Sequence, residues 1–254
     1  MPLDARVALI TGAAGGIGSA IARELAADGA YVCLADCSAT DALAAELRSM
    51  GRQAHAVRMD VTRGAEVRAA VDATVATLGR LDILVNVAGI ASFGAAQSIT
   101  EEEWDRVHAI NLRGTFLCCQ AAIGPMRGQR YGRIINIGSI LAKNGGNARP
   151  WIDPGEQEHA ANAAYGASKA GVHALTLYLA KELARDGITV NAVAPGPVAS
   201  AMTSAFPERL RALIPAGRMG TAAEVAHACV FIAQESSAFI TGEILDVNGG
   251  MWMD

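Results

Sequence analysis

The segment that most restricts the fold stands near the start of the chain. Val7-Ala8-Leu9-Ile10 is an uninterrupted apolar run. Without polar alternation it reads as a strand buried on both faces of a parallel sheet. It runs directly into Thr11-Gly12-Ala13-Ala14-Gly15-Gly16-Ile17-Gly18, after which Ile21, Leu25 and Ala26 recur at helical spacing until Asp28-Gly29. Strand, glycine-rich turn and helix, in that order, form the context that a phosphate-binding loop requires. Glycine allows the tight turn and lets a pyrophosphate approach the helix N-terminus. Gly12, Gly15, Gly16, Ile17 and Gly18 are therefore candidate phosphate-cradling residues, in the spacing T-G-x-x-x-G-x-G.

The next apolar run, Tyr31–Ala35, ends at Asp36, 18 positions beyond Gly18. A carboxylate at the end of the second strand can bond both hydroxyls of an adenosine ribose, and it repels a 2′-phosphate. Gly15, Cys37 and Ser38 supply no base to hold such a phosphate. The pattern predicts NAD(H), with NADP(H) disfavoured.

The remaining chain repeats the alternation. Apolar strand candidates are Val7–Ile10, Tyr31–Ala35, Ala54–Met59, Ile83–Asn86, Arg133–Ile137, Thr189–Val193 and Ile244–Val247. Helical patterns lie between them, Glu103–Met126 and Ala164–Arg185 being the longest. This alternation predicts one α/β domain over residues 1–254, a Rossmann-type doubly wound parallel sheet with helices on both faces. Ligands bind such a sheet outside the carboxyl ends of its strands, at the topological switch. Hydrophobic content of 52% with 5% aromatics suits one large aliphatic core.

Net charge is −4, without a basic stripe for nucleic acid. No stretch reaches the apolar length of a membrane span or a signal-peptide core. Five cysteines without metal-ligand spacing read as free thiols in a reducing compartment, with Cys118 and Cys119 as core fillers. A cytoplasmic protein without a metal is expected.

Tyr165 and Lys169 stand four positions apart in Ala164-Tyr165-Gly166-Ala167-Ser168-Lys169. On a helix they share a face. An ammonium beside a phenol favours the phenolate and lowers its pKa from roughly 10. A phenol tuned that way exchanges a proton near neutral pH. Ser139 follows the run Ile134-Ile135-Asn136-Ile137-Gly138, which points its hydroxyl at the same cleft.

Taken together, the glycine loop, Asp60-Val61, Asn86-Val87-Ala88-Gly89, Asn111, Ser139, Tyr165, Lys169 and Pro195-Gly196 follow one order. In that order the chain resembles the short-chain dehydrogenase/reductase family along nearly its whole length. The resemblance implies hydride transfer between a nicotinamide and a carbonyl carbon. Ser139 and Tyr165 would hold the carbonyl, with Tyr165 as acid or base. Lys169 would bind the nicotinamide ribose, and Asn111 would support a proton relay to it. It further implies that Asp60 and Val61 meet the adenine and that Asn86, Ala88 and Gly89 support the central sheet and lie along the cofactor. Pro195, Gly196 and Val198 would border the nicotinamide, and Ser200 would bind its carboxamide. Val87 replaces the more usual second asparagine.

The chain departs from the family between Ser139 and Tyr165, which stand 26 positions apart, against about half that. Gly and Pro mark the extra segment, about 143–159, as a loop over the substrate side of the cleft. Ser139, Leu141, Trp151, Ile152, Tyr165, Met202 and Phe206 are the candidate substrate contacts. His159, before a helix, reads as a cap or surface residue.

The resulting expectation is an NAD(H)-dependent alcohol dehydrogenase or ketone reductase acting on a small or medium secondary alcohol, polyol or cyclic alcohol. Alternatives are a beta-ketoacyl-thioester reductase, against which Asp36 counts, and a non-catalytic dinucleotide-binding sensor. By resemblance, the two long helices pair across a two-fold axis in a homodimer or homotetramer. The apolar tail Gly249–Met253 would join a second contact.

Overall fold

The computed structural model describes residues 2–146, 155–199 and 208–253. Seven strands form one parallel sheet in the order β3-β2-β1-β4-β5-β6-β7. They are β1 (Val7–Thr11), β2 (Tyr31–Asp36), β3 (Ala54–Arg58), β4 (Ile83–Asn86), β5 (Gly132–Ile137), β6 (Ile188–Pro195) and β7 (Ile244–Val247). Every strand expected from the sequence is present, with ends differing by a residue or two. The order reverses between β1 and β4, which are paired neighbours. A crevice therefore opens where the loops after these two strands diverge.

The continuous apolar runs have a simple cause: both sheet faces are covered. On one face Ile10, Val32, Val85 and Val193 pack beneath helices α1 (Gly16–Ala27), α2 (Asp41–Ser49) and α10 (Ala222–Ala233), through Ile21, Leu25, Leu47, Val225 and Ile232. On the other, Leu9, Leu84, Ile134 and Val190 meet α3 (Gly64–Leu78), α5 (Thr115–Gln129) and α8 (Ala163–Leu183) through Val71, Cys118, Met126 and Leu183. Leu9 and Ile10 are adjacent yet serve opposite cores, because successive strand side chains alternate. Each fully buried Leu or Ile contributes about 2 kcal/mol. Cys118 and Cys119 fill core as expected, and all five cysteines are free thiols.

Two expected elements differ. The pattern Glu103–Met126 forms α4 (Glu101–His108), a π-helical turn over Ala109–Gly114, and then α5. Thr100 caps α4 by accepting the Glu103 N–H. A π-turn adds one residue per turn and rotates the following side chains, which periodicity alone does not reveal. The segment 143–159 is helical at both described ends: α6 (Leu141–Asn144) follows Ser139, and α7 (Gly155–His159) precedes α8. Glycine and proline dominated the loop reading there, whereas short helical turns form beside them. The short helix α9 (Glu208–Arg211) lies between β6 and α10, and an Arg209–Glu156 ion pair of 2.7 Å joins it to α7.

Candidate active site

The glycine loop owes its shape to contacts at the end of β4. Thr11 Oγ1 accepts the N–H groups of Val87 and Ala88, both at 3.1 Å. Gly12 has φ +66, and a Cβ there would lie 2.7 Å from Ala88 N. At Gly18 a Cβ would overlap the Gly12 carbonyl. These two glycines are required by the chain's own packing. Gly16 is not: a Cβ there would meet open space. The N-cap of α1 is Gly15, which offers no side-chain cap, so the first-turn N–H groups have no side-chain acceptor there. An uncapped helix start with open space before it is the cradle that a pyrophosphate fits. Ile17 packs against the core beside it.

Asp36 closes β2. Its Oδ2 accepts the Ala14 N–H at 3.0 Å, and its Oδ1 accepts the Ser38 N–H at 2.8 Å. The carboxylate is thus fixed beside the glycine loop, with lone pairs left for ribose hydroxyls. Asp60 Oδ1 accepts the Thr62 N–H at 2.9 Å and the Thr62 hydroxyl at 2.7 Å. Those bonds, with Arg63 nearby, hold its carboxyl below the ordinary range. Val61 is buried where a Cβ on Gly114 would touch it.

Asn86 does not offer its side chain to the cleft. Its Nδ2 donates to Asn136 Oδ1 at 2.8 Å, and Asn136 Nδ2 donates to Thr176 Oγ1 at 2.9 Å. It ties β4 to β5 and α8 inside the sheet. This is the sheet-supporting role that the resemblance implies for the stretch.

Asn111 and Lys169 meet at Gly89. A Cβ on Gly89 would lie 3.2 Å from Asn111 Oδ1 and 3.4 Å from Lys169 Nζ. Asn111, fully buried in the π-turn, accepts the Ile90 N–H at 2.8 Å and donates to the Ile90 carbonyl and Ser168 Oγ, both at 3.0 Å. Lys169 Nζ donates to the Ile137 carbonyl at 2.6 Å. Burial lowers the Lys169 pKa to about 8.

Ser139 stands just past β5. Its Oγ accepts the Leu141 N–H at 3.1 Å. Here the electrostatics differ from expectation. Burial pushes the Tyr165 phenol above its usual pKa, and the Ser139 side chain opposes that rise in part. The Lys169 ammonium, itself desolvated, is turned to Ile137.

Pro195 ends β6 and accepts the Ile140 N–H at 3.0 Å, while Gly196 N–H donates to Val247 at 2.9 Å. Val198, buried, bridges to Gly220. These residues edge the cleft beside Ser139. Leu141 is half-buried at the start of α6. Trp151, Ile152, Ser200, Met202 and Phe206 lie outside the described residues, as does the side chain of His159.

The sequence reading missed four neighbours. Thr11 shapes the loop, and Ser168 links Asn111 to the Tyr165 carbonyl, at 2.7 Å from the latter. His173 Nε2 lies 3.4 Å from Ser139 N. Asn162 caps α8 by accepting the Tyr165 N–H. Asn162 alone carried a local signal, an N-cap residue type at a helix start.

Comparison with known proteins identifies the family. A family profile described as Enoyl-(Acyl carrier protein) reductase matches residues 12–252. The 3-oxoacyl-(acyl-carrier-protein) reductase FabG of Staphylococcus epidermidis is 39% identical over 253 residues, covering 97% of this chain and 98% of that protein. FabG of Escherichia coli is 38% identical over 259 residues, covering the whole of both. The crystal structure of gox2181 superposes with a TM-score of 0.90 at 36% identity, covering 98% of this chain and 96% of the other. A short-chain dehydrogenase/reductase mutant from Serratia marcescens gives 0.87 at 34% identity, covering 99% of each. Fold, strand-end geometry and relatives agree: the chain belongs to the short-chain dehydrogenase/reductase family of oxidoreductases.

Proposed function

We propose that this oxidoreductase interconverts a ketone and a secondary alcohol, with Tyr165 as the proton donor and acceptor. The observation that carries this reading is the meeting of Asn111 Oδ1 and Lys169 Nζ at Gly89, with Tyr165 one turn before Lys169 on α8. A bound nicotinamide supplies hydride to the carbonyl carbon, or accepts it in reverse. Ser139 and Tyr165 together orient the carbonyl oxygen. As negative charge develops on that oxygen, Tyr165 releases its proton to it, which leaves a phenolate to be reprotonated. The high resting pKa of the phenol keeps it protonated until that charge appears. Lys169 would hold the nicotinamide ribose, and its proton is held loosely by burial.

The first substrate class is a 3-oxoacyl thioester. FabG relatives near 39% identity act, by name, on 3-oxoacyl groups, and the family profile is described by another acyl-carrier reductase. The second is a small or medium secondary alcohol, polyol or cyclic alcohol, favoured by one observation: the acid Asp36 at the ribose position. In either case NAD(H) is the proposed cofactor, because Asp36 would repel a 2′-phosphate and Gly15 offers no base. Residues 1–254 would act as one cofactor-binding and catalytic unit. Trp151, Ile152, Met202 and Phe206 would line the substrate side, and Ser200 would hold the carboxamide. The protein would work as a cytoplasmic homodimer or homotetramer, and light scattering giving a monomer at micromolar concentration would refute assembly. Among the described residues, no helix is long and apolar enough to cross a membrane.

The deciding experiment assays acetoacetyl-coenzyme A reduction and the oxidation of an alcohol panel, each with both cofactors. Turnover of acetoacetyl-coenzyme A faster than any alcohol supports the first class, and the reverse ranking supports the second. Absence of turnover with every couple would argue for a dinucleotide sensor and against an enzyme of either kind.

A further inference from the structure

The first turn of α8 carries Tyr165 and is held by side chains that the proton transfer does not use. Tyr165 N–H donates to Asn162 Oδ1 at 3.2 Å. Asn162 Nδ2 donates to Ser92 Oγ at 2.7 Å and to the Phe93 carbonyl at 3.2 Å. The Asn162 backbone N–H donates to the Ser92 carbonyl at 2.9 Å. Ser92 Oγ in turn donates to Glu103 Oε1 at 2.5 Å. Arg106 grips Glu103 with two bonds, of 2.8 and 3.0 Å. Ser92 and Asn162 are 3% and 6% exposed, so the inner links are buried, while Glu103 and Arg106 end the chain at the surface.

The direction of each bond follows from proton counting. Arg106, foremost, and Ser92 hold the Glu103 carboxyl below the usual range, so it is an acceptor alone. Ser92 has one hydroxyl proton and gives it to Glu103. Toward Asn162 it can therefore only accept. Asn162 must turn its NH2 toward Ser92 and the Phe93 carbonyl, which leaves Oδ1 facing Tyr165 N–H. An amide orientation that is often ambiguous is dictated here by an ion pair on α4. The same strip, Ile90–Gly94, is bonded at its other end to Asn111 through Ile90. One short segment thus ties the start of the Tyr165 helix to the Asn111–Lys169 side of the cleft.

We infer that Asn162 and Ser92 are positioning residues for Tyr165: they lock the first turn of α8 onto Ile90–Gly94 and so set where the phenol stands relative to the reacting carbon. The inference rests on the reading of Tyr165 as proton donor. Neither residue touches reacting atoms.

Full-length Asn162→Ala, Asn162→Ser, Ser92→Ala and Tyr165→Phe proteins test it. Turnover is measured with acetoacetyl-coenzyme A and NADH, and with cyclohexanol and NAD. NADH affinity is read by fluorescence and the Tyr165 amide by hydrogen exchange. Phenol ionisation is read by ultraviolet difference titration, with Tyr165→Phe subtracting the other tyrosines among the four. Asn162→Ala and Ser92→Ala are expected to lower kcat about tenfold or more, with NADH affinity held. They should also shift the pH midpoint of the Tyr165 phenol and of kcat. Asn162→Ser restores a capping oxygen but not the bond to Ser92, so amide protection should return while kcat recovers in part. Should Asn162→Ala fail to fold, Ser92→Ala, which removes one hydroxyl, carries the test by the same readouts. Wild-type kcat and phenol midpoint in Asn162→Ala or Ser92→Ala would overturn the inference. So would losses that track NADH affinity and melting temperature alone. Robust turnover by Tyr165→Phe would instead refute the proton-donor reading itself. If neither couple is turned over, the phenol midpoint and amide exchange decide.

Discussion

Gly12 and Gly16 sit in one loop, yet alanine at each should fail in opposite ways. At Gly12 the backbone has φ +66, and the new Cβ would lie 2.7 Å from Ala88 N and 2.8 Å from its Cα. The left-handed backbone costs alanine about 1 kcal/mol, and the clash with a backbone that cannot turn aside adds about 1–3 kcal/mol. For a chain of this size each kcal/mol moves the melting temperature by about 2–4 °C. Gly12→Ala should therefore melt about 5–15 °C lower. At Gly16 the Cβ meets open space at the start of α1. Removing glycine from a helical position gains about 0.5–1 kcal/mol, so the melting temperature should hold or rise slightly. What Gly16→Ala obstructs is the approach of a pyrophosphate. Losing one charge-assisted N–H bond, about 1.5–3 kcal/mol, should weaken NADH binding by about tenfold to a hundredfold. Differential scanning calorimetry and NADH fluorescence titration on both variants decide the matter. Wild-type NADH affinity in Gly16→Ala would show that the pyrophosphate does not pass the start of α1. Undiminished stability in Gly12→Ala would refute the packing argument at β4.

Three further outcomes follow from the geometry. Asp36→Ala combined with Cys37→Arg should move preference from NADH toward NADPH, and comparable efficiency with both cofactors in the unmodified protein would sink the charge argument. Lys169 is protonated in an unfolded chain up to about 10.5 but in the folded protein up to about 8. Below about 8 both states carry the charge, and a desolvation penalty of about 3 kcal/mol is fully present; it fades as pH rises toward 10.5. Lys169→Met should thus raise the melting temperature most near neutral pH and less above about pH 8, and calorimetry showing a gain that grows with pH would contradict this. Cys37 is the exposed cysteine, with Sγ 3.6 Å from Asp36 Oδ1, so N-ethylmaleimide should label it first and bound NADH should slow that labelling. Equal rates with and without NADH would place the adenosine ribose elsewhere.

The sheet was legible because burial on both faces writes itself into consecutive apolar residues. The positions of Gly12, Asp36 and Ser139 at strand ends followed from the same rule, and Tyr165 stands in the first turn of α8. What could not be read was choice of partner. Asn86 belongs to a stretch expected to support the sheet, yet the residue that takes its amide, Asn136, stands 50 positions away. Asn111 sits in a π-turn that no periodicity announces, and Lys169 turns to a carbonyl 32 positions earlier rather than to the tyrosine one turn away. Side chains with several possible partners are assigned by tertiary approach, and local spacing carries little of that information. Residues 143–159 differ for another reason: short helical turns, α6 and α7, form at both described ends of a segment expected to be loop.

The pairing of α1 with α10 has a consequence for how the molecule comes to be. Ile21, Leu25 and Ala26 of the first helix share a core with Val225, Cys229 and Ile232 of the last long one, so that cover comes from the opposite end of the sequence. β1 likewise sits mid-sheet and must await β4. During synthesis the apolar side of the first βα unit therefore stays uncovered while nearly all the intervening chain is made. Contacts of such long sequence separation fold slowly and leave sticky surface in the meantime. Chains cut short before Ala222 should accordingly aggregate rather than form a smaller nucleotide-binding fold, whatever the quality of their glycine loop.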